Sequence, residues 1–231
     1  MFSLFRSQPL IEPDATAWLH DCFSWCFSEF DSSFFAQHTT LVIPDDQFFP
    51  GRAQSAEGLA ALILHHVKRH AGVAHWPTTV LDRRLCAIPE AVALPALTTL
   101  RQPPVAPSEG DVVASELLPL PFPFISDQLS KPEAIIATFA HMVAHYLGQY
   151  AKTPPPGGQE SWGYATEVVA IFMGFGLMFA NSAFTHRGGC GSCYNPAAER
   201  QAQLSELEAT YALALFARLK KIPISKVKPY L

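Results

Sequence analysis

The chain predicts an α+β fold: a helical core with a small, proline-interrupted β-sheet. Two observations carry that prediction. Apolar residues recur at the helical period in long stretches, above all in the second half of the chain. Short β-branched and apolar runs are confined to the first half, where prolines cut them. At 231 residues and 49% hydrophobic the chain can bury a sizeable core without covalent staples. It reads as a single domain over 1–231, with an α/β part at 1–125 and a helical part at 126–231. No repeat appears at a solenoid period.

In chain order, Asp14 or Thr16 can cap a first helix whose apolar face holds Trp18, Leu19, Cys22, Phe23, Cys26 and Phe30. Cys22 and Cys26 lie one turn apart inside this aromatic stripe and read as core residues. Thr39 to Ile43 is β-branched and closed by Pro44, which suggests a strand followed by a turn at Asp45-Asp46 that presents Phe48-Phe49. Ser55 to His70 is an amphipathic helix closed by Gly72. Its His66 and His70, beside Lys68 and Arg69, read as a solvated cationic face.

Between Trp76 and Phe124, strands are expected at Thr79–Leu81, Leu97–Leu100, Val112–Ala114 and Leu117–Leu120. Ser130 and Glu133 have capping-box spacing, with Pro132 in the first turn. The helix they open carries Ile135, Ile136, Phe139, Val143, Tyr146 and Leu147 on one face. Pro154-Pro155-Pro156-Gly157-Gly158 ends it. A strongly apolar helix is expected from Gly163 to Ala180, and a last one from Leu204 to Lys220 before Pro223.

Composition narrows function and compartment. Only 16% of residues are charged and the formal net charge is −4, with no basic cluster on a helix face, so nucleic acid is not an expected partner. The N-terminus has Arg6 and Pro9 where a signal peptide needs an apolar run, and five cysteines make an odd number, so a reducing, cytoplasmic setting is expected. Val168 to Ala180 is shorter than the roughly 18–20 residues that span a bilayer, and it reads as a buried helix. No membrane partner is expected.

The chemistry-bearing constellation is His141 and His145, four residues apart on one helix, so both imidazoles can converge on one cation. Glu167 lies twenty-two residues beyond His145 and can supply an oxygen to complete a zinc site. The metal-free alternative has the histidines hydrogen-bonded to Glu167 and to a backbone carbonyl. A second candidate metal set is His186, Cys190 and Cys193 in a glycine-bearing loop, which needs a fourth ligand such as Cys86. Free thiols are its alternative.

The blocks Ala140-His141-Met142-Val143-Ala144-His145 and Thr166-Glu167-Val168-Val169-Ala170, with Val42-Ile43-Pro44 and Tyr211-Ala212-Leu213, resemble a poorly characterised bacterial family of zincin-like metallopeptidases. That resemblance implies a zincin-like helical core and a zinc motif in which a glutamate between the histidines activates water. It also implies a Glu ligand four residues before the position of Glu167. Here Met142 stands in place of the first and Gly163 in place of the second. A thioether cannot accept a proton at neutral pH, so the general base is missing from the place the mechanism puts it.

The function expected from these departures is a zincin-fold protein that has lost peptidase catalysis and acts as a binding or regulatory module for a peptide or protein partner. It would bind zinc or no metal. The alternatives are an active zinc hydrolase using Glu160 or Glu167 as base, and a metal-binding protein built on the Cys190/Cys193 loop.

Overall fold

The computed structural model describes residues 10–85, 94, 99–103, 118–183 and 200–231. Helix α1 (Pro13–Glu29) starts before either expected cap, two residues ahead of Asp14 and four ahead of Thr16: Glu12 is its N-cap and Pro13 occupies the first position, where a missing N–H costs nothing. Cys22 and Cys26 are free and buried in the core, where burial pushes the Cys22 thiol up to about 12. Helix α2 (Ser32–His38), which the sequence reading did not anticipate, is capped by Asp31, whose carboxylate accepts from the Ser33 and Phe34 amides. Thr39 to Ile43 then runs without a strand partner. The Val42 N–H is satisfied by the Gly174 carbonyl at 2.9 Å, so a single cross-chain bond replaces the expected strand ladder.

Helix α3 (Ala56–Ala71) has the expected caps, the Ser55 hydroxyl on the Gly58 amide and Gly72 at φ 78. Its histidines correct the sequence reading. His66 is buried and its Nε2 contacts the Pro50 carbonyl at 2.8 Å, while His70 Nε2 contacts that of Phe48 at 2.8 Å. Instead of a solvated face, they pin the Phe48-Phe49-Pro50 turn onto the helix.

The sheet is small: β1 (Thr78–Asp82) pairs in parallel with β2 (Leu120–Phe124), Val80 opposite Phe122. The Leu120 N–H bonds the Pro77 carbonyl. Pro121 and Pro123 take the alternate positions, whose N–H groups would face away from β1, so the prolines cost the ladder nothing. Val112–Ala114, Leu97, Thr98 and Leu117 lie outside the described residues; of the rest of the expected strands, Leu120 opens β2, whereas Thr99, Leu100, Leu118 and Pro119 form no strand.

A short 3₁₀ turn (Ser126–Ser130) leads into α4 (Pro132–Gly148). The expected capping box at Ser130 does not form, because the Ser130 hydroxyl donates to the Asp127 carbonyl and Lys131 becomes the uncapped first position. A capping box forms instead at Ser205 and Glu208, opening α7 (Glu206–Leu219).

After α4 the proline-glycine break is clamped by α1. Trp18 and Trp25 donate their indole N–H groups to Pro156 and Thr153, and Glu29 accepts from the Lys152 amide and the Thr153 hydroxyl. The apolar stretch that follows is divided into α5 (Trp162–Ala170), a π-turn (Ile171–Phe175) and α6 (Gly176–Ser182).

Helix α4 packs on α3, α5 and α6, and α7 closes over α6. The helices that carry His141 and Glu167 therefore pack on each other. Gly174 admits Thr40, Gly176 admits Leu213, and Gly148 of α4 lies against Trp162 of α5. Residues 158–182 are long and apolar enough to cross a membrane, yet 89% of their most apolar window is buried inside the molecule. Phe172, fully buried, stacks on Phe35 at 4.5 Å at the centre of that core.

Candidate functional site

A cleft of about 550 Å³ opens where α4 passes the end of β2, and its walls come from four places. The α4 helix supplies Thr138, His141 and Met142, and the end of β2 supplies Pro123 and Ile125. Gln128 stands on the 3₁₀ turn, and Arg200, Gln201 and Gln203 come from the segment before α7. Arg83, exposed, completes the rim. Among the described residues the lining contains two arginines and no carboxylate.

Glu167 positions one whole wall. Fully buried in α5, its carboxylate makes an ion pair with Arg200 and accepts from the Gln203 and Leu204 amides at 2.9 and 3.0 Å. Arg200 is fixed further by its Nε donating to the Ser182 hydroxyl at 3.0 Å and by its guanidinium lying 4.5 Å from the centre of the Phe179 ring. The acid that the sequence links to the histidines is thus the anchor for residues 200–204. A buried carboxylate held by a cation and two backbone donors has its lone pairs committed.

The two histidines part company. His141 lines the cleft, and burial, followed by the nearby Arg200 charge and His145, pushes its pKa down to about 4, so it is neutral at pH 7. His145 is half-buried, lies off the cleft, and accepts from the Gln149 side-chain amide through Nε2 at 2.7 Å. Burial lowers its pKa too.

These residues as placed do not suit a zinc ion. Glu167 is taken by Arg200 and two amides, His145 is engaged by Gln149, and the Arg200 charge beside His141 repels a second cation. Among the described residues no three His, Cys, Asp or Glu side chains come together as a metal would need. His186, Cys190 and Cys193, and Cys86 with them, lie outside the described residues. Glu160 is exposed and Gly163 faces Gln203, so neither brings an oxygen to the cleft.

Three residues of this wall each carry a buried polar atom with no hydrogen-bond partner among the described residues: Gln128 Oε1, His141 Nδ1 and Arg200 Nη2. Each such group costs ~1–3 kcal/mol when left unsatisfied, and native proteins retain few of them. The identity of the free Gln128 atom follows from its neighbour. The Thr138 hydroxyl donates to Ala134 O at 2.8 Å, so it can only accept from Gln128, which leaves the amide oxygen free. A donor at Arg200, an acceptor at Gln128 and a neutral imidazole at His141 thus stand unpaired on residues that line the cleft.

Sequence reasoning missed Arg200, Gln128, Thr138 and Gln203. One signal was present for Arg200: a glutamate flanked by Thr166, Val168 and Val169 in a helix this apolar demands a cation, and Arg200 is one of three arginines in the second half of the chain. Compared with known proteins, the chain matches no family model, no curated protein and no solved structure, so its function is argued from the chemistry of this cleft.

Proposed function

We propose that the protein is a non-catalytic, zincin-like binding module that holds a peptide in the cleft beside His141. The observation that supports this most directly is the set of three unpartnered polar atoms on residues of a wall with no carboxylate among the described residues. A general acid or base for hydrolysis would have to come from His141, whose pKa of about 4 makes it a poor proton acceptor and leaves it no proton to give as an imidazolium at pH 7, or from Met142, which cannot take a proton. Peptide groups carry one donor and one acceptor each, which is what such a wall lacks. The departures at Met142 and Gly163 from the metallopeptidase resemblance point the same way.

The test is retention and integrity together. A randomised tetrapeptide library should be enriched on immobilised protein and recovered uncleaved with zinc present, by mass spectrometry. Met142→Trp, which fills the cleft, should abolish the enrichment. Cleaved peptides, or enrichment untouched by Met142→Trp, would overturn the proposal.

A further inference from the structure

Resting on that peptide-binding reading, we infer that the cleft recognises an N-acylated α-amino-acid carboxylate, the chemistry of a peptide C-terminus: the carboxylate meets Arg200 Nη2 and His141 Nδ1, and the last amide N–H meets Gln128 Oε1. Arg83 and Arg200 are the only charged groups of the wall among the described residues, and even with Glu167 pairing Arg200 from behind, the wall carries positive rather than negative charge, which selects an anion. The free Gln128 oxygen then selects among anions. Sulfate brings acceptors alone and would leave it unpaired, as would a simple carboxylate, whereas an acylated amino acid has its N–H two bonds from the carboxylate carbon. His141 joins as a donor in the tautomer that carries its proton on Nδ1. Arg200 is held on two sides, by Glu167 through Nη1 and by Ser182 through Nε, so its remaining nitrogen is fixed in place before a ligand arrives.

Calorimetry or thermal shift with defined probes tests this on the full chain. The probes are tetrapeptides enriched from the library, each made as the free acid, as the C-terminal carboxamide, and as the acid with its last amide N-methylated. The matching N-acetyl amino acid and inorganic sulfate complete the set. The acid should bind at least about tenfold more tightly than the carboxamide and than the N-methyl form, and sulfate should not bind. Gln128→Leu, which leaves the Glu167–Arg200 pair untouched, should erase the N-methyl difference and keep the preference for acid over carboxamide. Equal binding of acid and carboxamide, or sulfate binding as well as the acid, would overturn this inference while leaving the peptide-binding reading intact. An N-acetyl amino acid that binds as tightly as the tetrapeptide would keep the carboxylate and replace the peptide by a small acylated amino acid. If no probe binds in a manner sensitive to Met142→Trp, both readings fail.

Discussion

Arg200 and Glu167 do at the residue scale what the histidines were expected to do: they form an ion-paired polar centre among apolar helices. Both side chains are nearly sealed from water, so removing one partner strands the other. Glu167→Gln should cost about 3–5 kcal/mol in urea unfolding, and the double variant Glu167→Gln/Arg200→Met should cost less than the sum of the singles. An additive double variant would mean that the ion pair is not the unit holding residues 200–204.

His141 gives a second prediction. Its folded pKa, about 4, lies below its ordinary value of 6.5. Between those values the unfolded chain takes up a proton that the folded chain refuses. The contribution is thus fully present above pH 6.5 and is lost as pH falls toward 4, by up to about 3 kcal/mol. Wild type should lose more stability than His141→Gln between pH 7 and 4.5, because His145, His70 and His75 also titrate low but remain in both proteins. Parallel losses in the two proteins would assign the acid sensitivity elsewhere.

Among the elements, the apolar segment from Trp162 to Ser182 shows what periodicity can and cannot reveal. Its apolar character announces burial, and burial is what is found, but the pattern gives no hint that the helix is interrupted at Gly174. That residue sits at φ 105, and a Cβ there would lie 2.1 Å from the Thr40 carbonyl oxygen. The interruption lets the extended segment near Val42 bond the freed Gly174 carbonyl. Gly174→Ala should therefore cost about 3 kcal/mol or more, against about 1 kcal/mol for Gly158→Ala, which has φ 71 but nothing within 4 Å. Equal midpoint shifts in chemical unfolding would contradict the steric argument.

The same contrast explains the rest of the sequence reading. Helices α1, α3, α4 and α7 were legible because their apolar faces repeat locally. The Ser55 cap was legible because its partner is three residues away. The Thr39–Ile43 strand and the solvated His66/His70 face failed because partners distant in sequence, Gly174 and the Phe48–Pro50 turn, claimed those groups first, and the Ser130 cap failed because its hydroxyl turns back to the Asp127 carbonyl instead of forward into the helix. The cleft was half legible for a related reason. His141 and Glu167 stand out as polar residues in apolar helices, but Arg200 and Gln128 reach them only through the fold.

At the scale of the whole molecule, zinc hydrolysis would need His141, His145 and a carboxylate turned toward one ion with a base beside it. The packing sends them to separate tasks: His141 to the cleft wall, His145 to Gln149, and Glu167 to the segment before α7. Bringing them together would break a buried ion pair and two backbone bonds, a cost that one substitution does not offset. Met142→Glu with zinc supplied should thus show no peptidase activity above the buffer blank in a fluorogenic peptide assay. The same variant places a carboxylate on a wall that has none among the described residues, so it should also weaken binding of tetrapeptide acids by about tenfold or more while sparing their carboxamides. Zinc-dependent cleavage by the wild type or by Met142→Glu that disappears on His141→Ala would show that the histidines do converge on a metal, and the reading of the cleft as a binding site alone would fall with it.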